Sequence, residues 1–409
     1  MNRRLFLQAS AATGIGLSLG TAAHAAKGGK LVVGVAGGGI VGAAIAMELA
    51  RRGARVILFE KDRPGSGATA KSLAWINALV TDPHYARLRA RSVERWRELD
   101  RPLGLGVTWG GSLNWTNAGD EREEVDSQGR SLIGTPSQVA PLTAADVRRI
   151  DPASATPNFV TGYFSPTDGH VDGVHATNRM LAQAQKTGAR VIFPCEVKGM
   201  EFAAGRLAGV QTTQGRFALD RLVVASGVDT PALLSRIGYS LTLRHRPGAL
   251  VHCKPRPIVT KLAYGGPGGS EWKQMSDGSF VGGIVGGPPS YVPDHGAILS
   301  GETRAFPDGY AEVHGAHIMQ MLSAYLPAMK DAEFDYTTLG FRPMPTDGMP
   351  VCGPVPGASD VYTCVTHSGV SLAMILGDYV AGEVVTGKPH EMLAPYRPER
   401  FGAKPAQTA

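Results

Sequence analysis

Residues 31–60 read LVVGVAGGGIVGAAIAMELARRGARVILFE, and the order of residue types in them decides the fold. Residues 31–36 are a short β-rich apolar run, residues 37–42 supply G-x-G-x-x-G, residues 43–52 have helical character, and residues 55–59 read as a second strand. Strand, glycine turn, helix and strand at this spacing make the βαβ unit that cradles a dinucleotide. Gly37 permits the tight turn, Gly39 lets backbone approach a pyrophosphate, and Gly42 lets the helix lie close to the strand. Ile40 and Val41 stand where the helix opens, so their N–H groups and the positive end of the helix dipole face the anion. Glu60 closes the second strand, about 20 residues further on, where a carboxylate accepts hydrogen bonds from both ribose hydroxyls. The motif alone does not separate NAD from FAD.

Around this unit lies a chain of 409 residues, long enough for about two domains and a large core. The formal charge of +6 includes Arg3 and Arg4, and no dense Lys/Arg run is interleaved with aromatics, which argues against a nucleic-acid partner. Cys195, Cys253, Cys352 and Cys364 show no metal-ligand spacing, so no metal site is expected, and a Cys352–Cys364 disulfide stays open. Residues 1–25, with Asn2-Arg3-Arg4-Leu5-Phe6-Leu7, a weakly apolar run and Ala23-His24-Ala25, read as a leader resembling the twin-arginine export signal, which implies a periplasmic protein. An ordinary secretory leader or an uncleaved anchor is the alternative. No other run approaches the roughly 20 apolar residues of a membrane span.

Downstream of Glu60, KDRPGSGATAKSLAWINA is rich in small residues, which suits backbone pressed against a second part of a long cofactor. Residues 84–99 have helical spacing with a basic face turned to solvent. From 105 to 165 the texture becomes short alternating runs, the signature of an antiparallel sheet, in which Trp109 and Trp115 pack a core or line a cavity. Asp172 is placed to cap a helix that ends at Gly188, an apolar strand follows at 222–225, and Thr230-Pro231 opens another helix. A second strand-rich stretch fills 241–337, before a strand, a turn at 366–369 and a helix stopping near Gly387. The fold class is therefore α/β plus antiparallel sheet: a Rossmann-type dinucleotide-binding domain (30–104, 166–240, 338–390) interrupted by a mixed or antiparallel β-sheet substrate domain (105–165, 241–337), with a tail at 391–409.

Four segments in order, GGGIVG with Glu60, GATAKSLAW, VVASG, and GFRPMPTDGMP followed by THSGVSLA, give a chain that resembles the FAD-dependent D-amino-acid oxidase superfamily. Its glycine oxidase, sarcosine oxidase and D-amino-acid dehydrogenase branches are the nearest in pattern. The resemblance implies that Glu60 and Lys61 sit at the adenosine ribose, Ala68 and Thr69 at the pyrophosphate, and Leu73, Ala74 and Trp75 near the flavin ring. It implies that Val197 holds adenine through its backbone, with Ala225 and Gly227 closing over that half. Gly369, Val370, Ser371, Leu372, Ala373 and Met374 would meet the isoalloxazine at N1 and O2, where a helix amino terminus stabilises negative charge. Some relatives tether FAD through a cysteine where this chain has Gly340, or a histidine where it has Lys71, so non-covalent FAD is expected. The lysine that assists reaction with O2 in the sarcosine oxidase branch matches Phe280 here, which favours a dehydrogenase.

In the same motif Arg342 precedes Pro343, which biases it to extended backbone and fixes the direction of its side chain. The arginine of this motif receives the substrate carboxylate in glycine oxidase and its relatives, and a planar fork of donors suits that task. Pairing with Asp347 or another acid, which would shape the turn only, is the structural alternative. His367 is a second candidate, beside the flavin. The expected activity is oxidation of the C–N bond of an amino acid or related amine (D-amino acid, glycine or sarcosine type), with O2, a quinone or a cytochrome as acceptor. A flavin-dependent 2-hydroxy-acid dehydrogenase and a non-catalytic flavin-binding protein are the competing readings.

Overall fold

Val32–Ala36 is flanked on both sides by parallel neighbours, Arg55–Phe59 and Arg221–Val224. A strand so placed is covered on both faces, which explains its near-continuous apolar run. Val33, Val35, Val56, Leu58, Leu222, Val223 and Val224 are all fully buried. The sheet has six strands in the order Val351–Val355, Ala358–Val365, Arg221–Val224, Val32–Ala36, Arg55–Phe59, Arg190–Ile192, and only the first runs antiparallel to its neighbour. In this computed structural model residues 29–401 are described, apart from 134, 136, 286–294, 301, 302 and 304. The expected leader, residues 1–25, and the end of the tail lie outside the described residues.

The helix Ile40–Arg51 packs against Gly369–Thr386 and Gly173–Lys186 over this sheet. Asp172 caps the last of these, accepting from the N–H groups of Val174 at 2.9 Å and His175 at 3.0 Å, and Gly188 follows it in the left-handed region at φ +97°. Gly369–Thr386 is long and apolar enough to cross a membrane by length and composition, but it is a core helix, mostly buried. The helix Pro83–Leu103 corrects an expectation. Its basic residues do not all face solvent: Arg89 is buried together with Tyr85, Ser92 and Trp96, one stripe of helical spacing turned towards Gly369–Thr386.

The second large sheet has eight strands: Phe334–Phe341, Pro247–Cys253, Phe280–Ile284, Ser270–Gln274, Ala263–Gly266, Ser112–Thr116, Thr161–Ser165 and Ala140–Pro141. It is antiparallel except where Ala263–Gly266 runs parallel to Ser112–Thr116. Phe334–Phe341 is one continuous edge strand across the expected boundary at 337/338, because it pairs with Pro247–Cys253 almost throughout. Side chains alternate between the two faces. One face is a core: Trp272 stacks on Tyr264 at 5.0 Å and on Tyr325 at 5.6 Å, and Trp115 meets Tyr325 edge-on at 5.3 Å. Each such aromatic contributes roughly 1.5–3 kcal/mol of transfer free energy or more. Trp109, by contrast, is half-buried, donates to Asp100 Oδ2 at 2.9 Å and lies under Arg97.

The opposite face is unlike the core. Along one row stand Asn114, Gly265, Glu271, Gly283, Leu250 and Thr338, with Gly248 and Gly340 two residues further along their strands. Lys273 is on this face too, two residues from Glu271.

Candidate functional site

The cradle is built as the glycine spacing requires. Gly37 adopts φ +111°, and a Cβ there would stand 2.4 Å from the carbonyl oxygen of Ala225; a Cβ on Gly42 would stand 2.0 Å from that of Gly37. Both contacts are with backbone, which cannot rotate away. Ile40 donates its N–H to Thr69 Oγ1 at 3.1 Å, and Gly65 donates to Gly38 O at 2.9 Å, so the small-residue loop is tied to the cradle. Glu60 accepts from Gly38 N–H at 2.7 Å and Asp62 N–H at 2.8 Å. A carboxylate has about four acceptor positions, so two stay open beside these bonds.

Lys61 does not stand free next to Glu60. It forms an ion pair with Asp229 at 2.7 Å, which raises its pKa, and this links the end of the second strand to the turn that carries Gly227 at φ +58°. Ala225 donates to Ala36 O at 2.9 Å, beside Gly37. Cys195 N–H bonds Glu60 O at 2.6 Å, so Val197, which begins the three-stranded meander, lies two residues from a direct contact with Glu60. Ala68 is exposed on the loop.

The second half of the site joins the loop to the last helix. Leu73 and Ala74 are buried, and Ala74 is held at φ +54°, a costly conformation for a residue with a Cβ. Trp75 accepts from Ser371 Oγ at 2.9 Å through its carbonyl, while its indole N–H is buried with no hydrogen-bond partner among the described residues. Gly369 touches Val41: a Cβ there would lie 3.4 Å from Val41 Cγ2, so the amino termini of two helices converge. Val370 O is taken by the indole of Trp96 at 3.1 Å. Leu372 N–H already bonds Ser368 O at 3.0 Å, and the side chains of Leu372, Ala373 and Met374 are in the core. The open donors of this helix are therefore those of residues 369–371.

The guanidinium of Arg342 makes no hydrogen bond or ion pair among the described residues, while its backbone N–H donates to Arg246 O at 2.9 Å and its carbonyl accepts from Met344 N–H at 2.9 Å. Asp347, its expected rival partner, is taken instead by Arg400, which donates to Oδ2 at 2.6 Å and Oδ1 at 3.3 Å. Arg400 also donates to the carbonyls of Met349 and Pro350, bracing the turn that follows Arg342. The half-buried guanidinium of Arg342 lies against Gly248, within 3.4 Å of where a Cβ would stand. His367 Nδ1 is 2.8 Å from Ser368 Oγ. Solvent reaches this ring, yet surrounding protein pushes its pKa down to about 4, helped by the charges of Arg89 and Arg342, so the neutral form prevails at pH 7.

Three residues escape the sequence reading. Arg89 is fully enclosed and donates to Asn77 O at 3.0 Å, Asn77 Oδ1 at 2.5 Å and Leu79 O at 3.2 Å; burial lowers its pKa. The 85-89-92-96 stripe was the available signal. Lys273 is buried, donates to Val171 O at 2.8 Å, and has its pKa pushed down to about 7 by burial. Glu271 is half-buried on the same face, its pKa raised by burial against the opposing effect of Arg342 and Arg89. Phe280 corrects an expectation: it points into the aromatic core on the far face, 1% exposed, and Lys273 is the lysine on the near face. A preference for a dehydrogenase founded on Phe280 lapses with it.

These features fit a dinucleotide of FAD's length: a backbone cradle too tight for a Cβ, a carboxylate with open acceptor positions, an orphaned indole N–H, and two convergent helix amino termini. The family model for FAD-dependent oxidoreductases (DAO) matches residues 33–383. Glycine oxidase of Geobacillus kaustophilus (strain HTA426) is 26% identical over 383 residues, covering 89% of this chain and 95% of that protein. Among solved structures, L-proline dehydrogenase from P. horikoshii superimposes with a TM-score of 0.81 at 23% identity, covering 91% of this chain and 98% of that one. Glycine oxidase from Bacillus cereus ATCC 14579 gives 0.76 at 23% identity, covering 90% and 98%. At such identities the structural likeness establishes the fold, an FAD-binding α/β architecture with mixed sheets, and the family match establishes the cofactor class. The chain belongs to the DAO family of FAD-dependent oxidoreductases.

Proposed function

We propose that this enzyme oxidises the C–N bond of an amino acid or related amine, of the D-amino acid, glycine or sarcosine type, with its carboxylate on Arg342. The observation that carries this reading is a guanidinium unpaired among the described residues: an acid stands five residues away, yet that acid is spent on Arg400. A half-buried arginine without a partner is an anion receptor, and its fork fixes the angle of a carboxylate as well as its position. In this reading residues 30–104, 166–240 and 338–390 hold FAD, while 105–165 and 241–337 shape the substrate side. When bound, the cofactor supplies hydride acceptance at N5, so that the substrate becomes an imine and water opens it to an oxo acid. The protein's share is to hold the acid on Arg342, to keep His367 neutral, and to exclude water with Trp75 and Leu73.

The test is anaerobic bleaching of the yellow holoenzyme by a panel of D-amino acids, glycine, sarcosine and 2-hydroxy acids. Bleaching by an amine, with release of ammonia or a smaller amine, is the expected result. Reduction by hydroxy acids alone would replace this reading with alcohol oxidation. O2, a quinone or a cytochrome then serves as acceptor.

FAD is held without a covalent bond in this proposal. A Cβ on Gly340 would stand 2.7 Å from Lys71 Cβ and 3.0 Å from Lys71 O, so the two tether positions of relatives press on each other, and Gly340 has no room for a thiol side chain. Acid precipitation should leave the yellow colour in the supernatant. A coloured pellet would show the opposite.

A further inference from the structure

The face of the eight-stranded sheet that holds Glu271 is floored by glycines, and each brings a different part of the site onto it. Gly248 lies under the Arg342 guanidinium, Gly340 under Lys71, and Gly265 under the side chain of Asn114 and the ring of Trp75, 3.5 Å from where a Cβ would be. Glu271 stands directly between Gly265 and Gly283 on the neighbouring strands. No side chain from those two positions separates its carboxylate from the space above. Like the Arg342 guanidinium, the Glu271 carboxylate makes no hydrogen bond or ion pair among the described residues, although its backbone is paired in the sheet. The charges of Arg342 and Arg89 oppose the effect of burial on Glu271, with no direct contact between its carboxylate and either guanidinium among the described residues.

Strand spacing and rise put the Cα atoms of Glu271 and Gly248 about 12 Å apart on one face. The guanidinium stands over Gly248, and between it and Glu271 the Leu250 side chain leans over Gly283, with Cδ2 3.0 Å from where a Cβ would be. A small zwitterion, with charged ends about 3 Å apart and a hydrogen bond of about 2.8 Å on either side, is on the order of this separation. We infer that Glu271 is a specificity-determining residue that receives the ammonium of a zwitterionic amino acid whose carboxylate is held by Arg342. This rests on the reading of Arg342 given above. It narrows the substrate to an amino acid with at least one N–H and disfavours 2-hydroxy acids, because a hydroxyl leaves the glutamate's charge uncompensated.

The experiment compares the parent with Glu271→Gln, close in shape and without charge, as FAD-loaded proteins. D-Alanine, glycine and sarcosine are assayed by half-saturation of anaerobic bleaching. Propionate and acetate, their amine-less counterparts, are assayed by perturbation of the flavin absorbance, which needs no turnover. In Glu271→Gln the half-saturating concentration of the amino acid should rise at least tenfold, with propionate bound as tightly as before or more so, since a negative charge beside Arg342 has been removed. Glu271→Asp, which keeps the charge, should retain most of the preference and guards against a folding defect. An unchanged ratio of amino acid to matched acid, or an equal weakening of both, overturns the assignment of Glu271 while leaving Arg342 in place. If no amine bleaches the parent, the functional reading fails and this inference with it.

Discussion

Arg342→Ala should raise the KM for an amino acid by about 10²–10³-fold while the protein keeps its full complement of FAD. Removing one partner from a desolvated, hydrogen-bonded charge pair costs about 2–5 kcal/mol, which is the basis of that figure. The cofactor should be spared because Arg342 lies over Gly248 of the eight-stranded sheet, whereas the cradle is made by residues 37–42, Glu60 and Thr69. Arg342→Lys should recover only part of the loss, since an ammonium keeps the charge but not the parallel pair of donors. The measurement is steady-state kinetics beside a flavin-to-protein ratio. An unaltered KM would remove the arginine from the substrate site, and a colourless variant would move it to the cofactor.

The other large effect concerns the cradle. Gly42→Ala places a methyl group 2.0 Å from a backbone oxygen, and relief requires the helix Ile40–Arg51 to move off its strand. Loss of FAD to under about a tenth of the parent's content and a destabilisation of about 3 kcal/mol or more are expected. Gly39→Ala makes an instructive contrast. Its Cβ would meet only Thr69 Oγ1 at 3.4 Å, so the apoprotein should melt near the parent's temperature and still fail to hold the cofactor, because the methyl occupies the approach to the pyrophosphate. Flavin content together with thermal denaturation separates the two variants. Full FAD occupancy in Gly42→Ala would mean that the close approach at this turn is dispensable.

The cradle was legible because its rules are local. Expected strands at 31–36 and 55–59 are Val32–Ala36 and Arg55–Phe59, and the expected cap at Asp172 and stop at Gly387 are where the helices begin and end. Arg342 was singled out through its motif, and what the structure adds is the engagement of Asp347 elsewhere, a contact 53 residues long in sequence that no spacing rule reaches. Glu271 and Lys273 were not legible for a different reason. SEWKQ alternates, but both of its faces carry polar residues, and its neighbours AYGG and FVGGI each contain a Gly-Gly pair, so hydrophobic periodicity does not say which face meets the core. Register supplies that answer, and register is a property of eight strands at once. Phe280 was misplaced by the same ambiguity: one residue's shift along a strand exchanges one face for the other.

The brace formed by Arg400 has a practical bearing on any handling of the carboxyl terminus. It lies past residue 383, where the family match stops, yet it fastens the reversal that keeps Asp347 away from Arg342. A truncation that looks harmless by homology would release Asp347 to compete for Arg342, and a purification handle or fusion partner crowding that end would bear on the same contact.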